Sequence, residues 1–175
     1  MTIPLKAIDA AFELLPAKMD TPRARVMLLA IGYQESNFEH RRQLVGAPPR
    51  PTGPAVSFWQ FERGGGVKGV LNHSSSRVYA AAVCKVRGVP AEPHAVWTAM
   101  QTDDVLGAAM ARLLLYTDPK ALPEVGDADG AWYLYLRVWR PGAYDRGTAA
   151  QRGALRVKWV HNYDKARAYD SLRND

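Results

Sequence analysis

The chain has 175 residues, 47% apolar and 23% charged, and 23 Lys and Arg against 17 Asp and Glu leave a net charge of +6. That is enough chain for one domain with a real core, while the single cysteine, Cys84, excludes an internal disulfide. No run approaches the roughly 18 uninterrupted apolar residues of a membrane span, and the charge suits a polyanionic neighbour or plain solubility equally well.

At the N-terminus, "MTIPLKAIDAAFELL" has neither a basic n-region nor an A-x-A site, so no secretory leader is expected. Its Ile8, Ala11, Phe12 and Leu15 share one helical stripe. "DTPRARVMLLAIGYQES" opens a second helix, with Thr21 as N-cap and Pro22 at the first helical position. Four prolines and two glycines make "RQLVGAPPRPTGPAVS" a loop. "FWQFE" is short enough for a strand or an extended turn, and "RGGGVKGVLNHSSSR" reads as a glycine-rich loop with a turn or two of helix. Further helices are expected over Ser75 to Arg87, in "EPHAVWTAMQ", in "DDVLGAAMARLLLYTDP" and in "DADGAWYLYLRVWRPG". The third of these is capped at Thr102 or Asp103 and stopped before Pro119. A long terminal helix occupies roughly 148–175 and packs on the rest. With six to eight helices and no hairpin signal, the expectation is an all-α single domain over 1–175, with at most a minimal β element.

Chemistry is sought among the titratable residues. His40, His73, His94 and His161 are scattered, with no i,i+4 pair, so no metal centre is expected, and no cofactor. "GGGVKGV" lacks the Gly-Lys-Ser/Thr ending of a phosphate loop. Cys84 lies in an apolar helical run and reads as a small core residue. Glu35 stands apart: Leu28, Ile31 and Glu35 fall on one helical face, an apolar one, near the end where the helix dipole disfavours negative charge. Burial and dipole together raise a carboxyl pKa, which suits a general acid. The plain alternative is a glutamate that reaches off the edge of the core.

"QESNF", followed some twenty residues later by "SFWQF", resembles the lysozyme-like peptidoglycan-cleaving superfamily, in particular lytic transglycosylases and goose-type lysozymes. Glu35-Ser36 match the family's Glu-Ser pair at a helix end. Ser57-Phe58-Trp59-Gln60 match its Gly-Leu-Met-Gln segment in pattern, with the glutamine kept. "GPAVSFWQFERGGG" is similar to the variant of phage-encoded members, and the likeness runs from Pro22 to Gly142. The family's later Tyr-Asn pair is absent; Tyr133 and Tyr135 lie in its region, two apart and so on different sides of a helix, and Tyr135 is preferred.

The resemblance implies a lysozyme-like domain with a substrate cleft and cleavage of the β-1,4 bond between N-acetylmuramic acid and N-acetylglucosamine. Glu35 would be the acid, and Ser36, Phe58, Trp59, Gln60 and Tyr135 would hold substrate or the carboxylate. In a transglycosylase Glu35 works alone; in a hydrolase a second carboxylate takes part, for which Glu39, Glu62, Asp103 and Asp104 are candidates. Phe58 and Trp59 would offer flat faces to sugars, unless they belong to the core, as helical-domain aromatics more often do. Arg137 and Arg140, flanking an aromatic helix end, suit muramyl-lactate or peptide carboxylates, or simply the helix dipole. The expected partner is the peptidoglycan glycan strand, bound by a monomer, with no nucleic acid and no stable membrane insertion. A phage endolysin or virion-associated lysin fits, made in the host cytoplasm and acting on the wall after holin-dependent release or from the particle. The alternatives are a non-catalytic wall-binding or virion protein of the same fold, and a basic nucleic-acid-binding domain.

Overall fold

The computed structural model describes residues 3–171; the expectation that the last few residues lack order falls largely on 172–175, outside the described residues. Nine α-helices are described, joined by turns and one two-stranded sheet. α1 (Ile3–Glu13) and a 3₁₀ turn (Ala17–Met19) lead into α2 (Pro22–Ser36). An irregular stretch follows, then β1 (Ala55–Val56) and β2 (Phe61–Glu62), which pair antiparallel with Ala55 opposite Glu62. The glycine-rich segment holds the turn or two of helix expected in it, and its glycines are helical too: a π-helical turn (Arg63–Val67) runs directly into α3 (Lys68–Asn72). α4 (Arg77–Val86), α5 (Pro93–Ala99), α6 (Asp104–Tyr116), α7 (Ala128–Trp139), α8 (Gly142–Asp145) and α9 (Ala149–Ser171) complete the chain.

The caps read from sequence are in place. Thr21 Oγ1 accepts from the Ala24 amide at 3.1 Å, with Pro22 where a missing N–H costs nothing. Asp103, not Thr102, caps α6, its carboxylate accepting from the Leu106 amide at 2.9 Å.

One expectation changes. α2 carries no opposed polar face beyond its first turn: from Val26 to Gln34 it is buried on every side. It is the central helix, packed by α1, α6 and α9. A helix buried all round is apolar all round, so helical phase alone could not single out the Glu35 side. Each Leu, Ile or Met buried here gives about 1.5–3 kcal/mol, which makes α2 the frame for whatever its last turn carries. From α9, Trp159, Tyr163 and Ala166 are buried at helical spacing. Gln34, itself buried, joins the two helices: its amide donates to the Leu155 carbonyl at 3.3 Å and accepts from Asn162 at 2.9 Å.

Candidate active site

α2 ends abruptly, and its end positions Glu35. Asn37 and Phe38 both take left-handed backbone, φ 52° and 56°, which turns the chain back on itself. The Phe38 ring then lies against α2 at Gly32, where any β-carbon would overlap it. Glycine at 32 is therefore a packing requirement of the helix end. Ser36 completes the stop, its Oγ accepting from the Phe38 amide at 3.1 Å and donating to the Phe58 carbonyl at 2.7 Å.

That last bond matters twice. It joins the two sequence motifs in space, through Ser36 and the backbone of Phe58. It also decides between the two roles open to Ser36, holding the Glu35 carboxylate or bonding backbone at the helix end: the hydroxyl is committed to backbone.

The turn from Ser57 to Gln60 is tight, with left-handed backbone at Ser57 (φ 64°) and Gln60 (φ 53°). Phe58 and Trp59 point inward, 2% and 0% exposed. Neither offers a face to a sugar, so the expected platform is instead core. Trp59 Nε1 donates to the Leu28 carbonyl at 2.8 Å, and Phe58 and Trp59 both meet Phe38 edge to face. Gln60 is half-buried and borders a cavity, its amide nitrogen donating to the Ser57 carbonyl at 2.9 Å.

The cavity, of about 500 Å³, lies beside the end of α2 and falls in the usual range of a ligand cleft. Glu35 and Tyr135 line it together, with Gln60, Glu62 and the backbone of Gly65 and Gly66 bordering it, and Trp139 and Arg140 also lining it. Tyr135 Oη donates to Glu35 Oε1 at 2.7 Å. The ambiguity between two tyrosines resolves on geometry: Tyr135 is 1% exposed and bonded to Glu35, while Tyr133 is 60% exposed and borders a different depression. Tyr135 is held rigidly, stacked on Trp159 with ring centres 4.8 Å apart and planes 18° apart.

Glu35 itself is half-buried. Desolvation pushes its carboxyl pKa up to about 7, against the opposing pull of the Tyr135 hydrogen bond and the positive charge of Lys158. Lys158 Nζ also donates to the Gln34 carbonyl at 2.5 Å, placing a cation at the C-terminal end of α2. Burial raises the Tyr135 phenol too, aided by the Glu35 charge, so it remains a donor.

Of the four other carboxylates considered, only Glu62 reaches the cavity. Asp103 is occupied as a cap and by Arg87 at 2.8 Å, and Asp104 by Arg41 at 2.8 Å. Glu39 is exposed and bonded by the Asn37 amide. No cluster of three or more potential metal ligands occurs among the described residues.

No protein-family model, curated protein or solved structure matches this chain. The site therefore rests on its own geometry.

Several contributors carried no readable signal in the sequence. Lys158 and Asn162 lie more than a hundred residues from the helix end they serve. Trp139, half-buried, supplies the indole that actually borders the cavity, and its Nε1 fixes the tight turn by donating to the Trp59 carbonyl at 3.0 Å.

Proposed function

We propose that this chain cleaves the β-1,4 glycosidic bond between N-acetylmuramic acid and N-acetylglucosamine in peptidoglycan, with Glu35 as general acid and its domain as a lysozyme-like one. The observation that carries this reading is a half-buried glutamate with a pKa near 7, gripped by a buried tyrosine at the wall of a cleft. A carboxyl group in that state is protonated in a large fraction of molecules at neutral pH, which is what donation to a leaving glycosidic oxygen requires. The resemblance of "QESNF" and "SFWQF" to lytic transglycosylases supplies the substrate class.

In the first step Glu35 gives its proton to the glycosidic oxygen as the bond to the muramyl anomeric carbon breaks. Tyr135 steadies the carboxylate left behind. The carboxylate then takes the proton of the muramyl 6-hydroxyl as that oxygen closes a 1,6-anhydro ring, which restores Glu35. Among the described residues Glu62 is the only other carboxylate bordering the cavity. It stands exposed on the β2 strand, and if it directs water instead, the product carries a reducing end.

The test is digestion of isolated peptidoglycan with mass analysis of the soluble products. The wild type should release disaccharide-peptides with anhydro ends, and Glu35→Gln should release almost none. Reducing ends that disappear in Glu62→Gln would reassign the reaction to a hydrolase. Wall binding without cleavage by the wild type would reduce the protein to a non-catalytic wall-binding module.

A further inference from the structure

We propose that Arg140 and Arg146 form a carboxylate-binding subsite at the mouth of the cleft, which selects glycan strands bearing free carboxylates; this rests on the reading of the substrate as peptidoglycan. Both arginines line the cavity that holds Glu35. Several other arginines are spent on protein carboxylates. Arg137, expected from sequence to act with Arg140, is instead paired with Asp118 at 2.9 Å, and Arg41, Arg87 and Arg156 are paired with Asp104, Asp103 and Asp129. Arg140 and Arg146 make no ion pair among the described residues, and the Arg140 guanidinium makes a long hydrogen bond, 3.4 Å, to the Arg137 carbonyl.

The backbone at the two positions supports a use for their side chains. Arg140 ends α7 in left-handed conformation, φ 48°. Glycine is the common residue there because a β-carbon is disfavoured by roughly 1 kcal/mol or more. The chain holds an arginine instead, at the cleft. Arg146 lies across Gly142, so closely that a β-carbon at 142 would overlap its guanidinium. Gly142, which also lines the cavity, leaves room for that guanidinium beside its wall. Two planar cations lining one cleft suit a carboxylate, which arginines bind with charge-assisted hydrogen bonds.

Wall strands carry carboxylates from two sources, the peptide stems and, once stems are removed, the muramyl lactyl groups. Three substrates separate them: intact peptidoglycan, peptidoglycan whose carboxyl groups have been amidated, and strands stripped of peptide. The variants are Arg140→Gly, Arg146→Gln and the double variant. Arg140→Gly relieves the left-handed strain, so its melting temperature should equal or exceed that of the wild type. On intact peptidoglycan the double variant should raise KM about tenfold with kcat within about twofold, the pattern of a lost binding contact. Amidation should impose the same loss on the wild type and none on the double variant. If stripped strands retain the difference between wild type and double variant, the subsite accepts the lactyl carboxylate as well as the peptide one; if they abolish it, the subsite reads the peptide carboxylate alone. A double variant with wild-type KM on intact peptidoglycan, or one that loses as much on amidation as the wild type, would overturn the subsite. Sedimentation with insoluble walls, using Glu35→Gln alone and with both arginine changes, reads the same contact without cleavage. Carboxylate-dependent pelleting by a protein that never cleaves would sink the enzymatic reading and keep the subsite; cleavage without that dependence would do the reverse.

Discussion

At the scale of single residues, Glu35 ties stability to pH in a direction that can be measured. Its pKa rises from about 4.5 in the unfolded chain to about 7 in the folded one. The folded state therefore holds a proton that the unfolded state has released, and stability falls as pH rises between those values. The full cost, roughly 3 kcal/mol at most, is reached above pH 7 and absent below pH 4. Glu35→Gln keeps an acceptor for Tyr135 and removes the charge. Thermal melts should show the variant gaining on the wild type from pH 5 to pH 8; parallel curves would mean that the carboxylate is not buried at cost. Lys158 acts oppositely, its charge favouring the ionised carboxyl. Lys158→Met should move the alkaline limb of the pH–rate profile upward, while an unmoved limb would make Lys158 only a cap on α2. Tyr135→Phe removes the hydroxyl that fixes Glu35 and should lower kcat by about tenfold to a hundredfold, measured on soluble glycan fragments.

At the scale of elements, the end of α2 and the Ser57–Gln60 turn behave as one unit. Ser36, Phe38, Phe58 and Trp59 hold them together, and Trp139 pins the turn from α7. Trp59→Ala should therefore cost about 3–5 kcal/mol, seen as a lower denaturant midpoint. Trp59→Phe should leave KM almost unchanged; a sugar platform at Trp59 would give the opposite pattern, normal stability and a raised KM. The same unit explains what was legible. Helix starts at Thr21 and Asp103 follow from local capping chemistry, which a sequence displays directly. Glu35 was legible because of its place in an apolar helix end, whereas helical phase put Tyr133 and Tyr135 on different sides without showing which faces the site, a choice made by the bond to Glu35. The direction in which Phe58 and Trp59 point was not, since it depends on two left-handed residues, Ser57 and Gln60, neither of them the glycine that announces such backbone. In "RGGGVKGV" the expected turn or two of helix is present, and the glycines read as loop join it as a π-helical turn against the cleft.

Across the whole molecule, the cleft is shaped by elements far apart in the chain. The α2 end, the β hairpin, α7 and α9 all contribute, and the anchors between α2 and α9 run through Gln34, Asn162 and Lys158. Such contacts leave no local pattern, which is why composition could suggest a basic helical domain and not its cleft. No helix among the described residues is long and apolar enough to cross a membrane. The central claim, that Glu35 is a proton donor tuned by its burial, is tested most directly by kcat/KM of the wild type on soluble peptidoglycan fragments from pH 4 to pH 9. The profile should fall above about pH 7 with unit slope, as the free enzyme's carboxyl loses its proton. A rate that instead stays level through pH 8, or that already falls near pH 4.5, would contradict it.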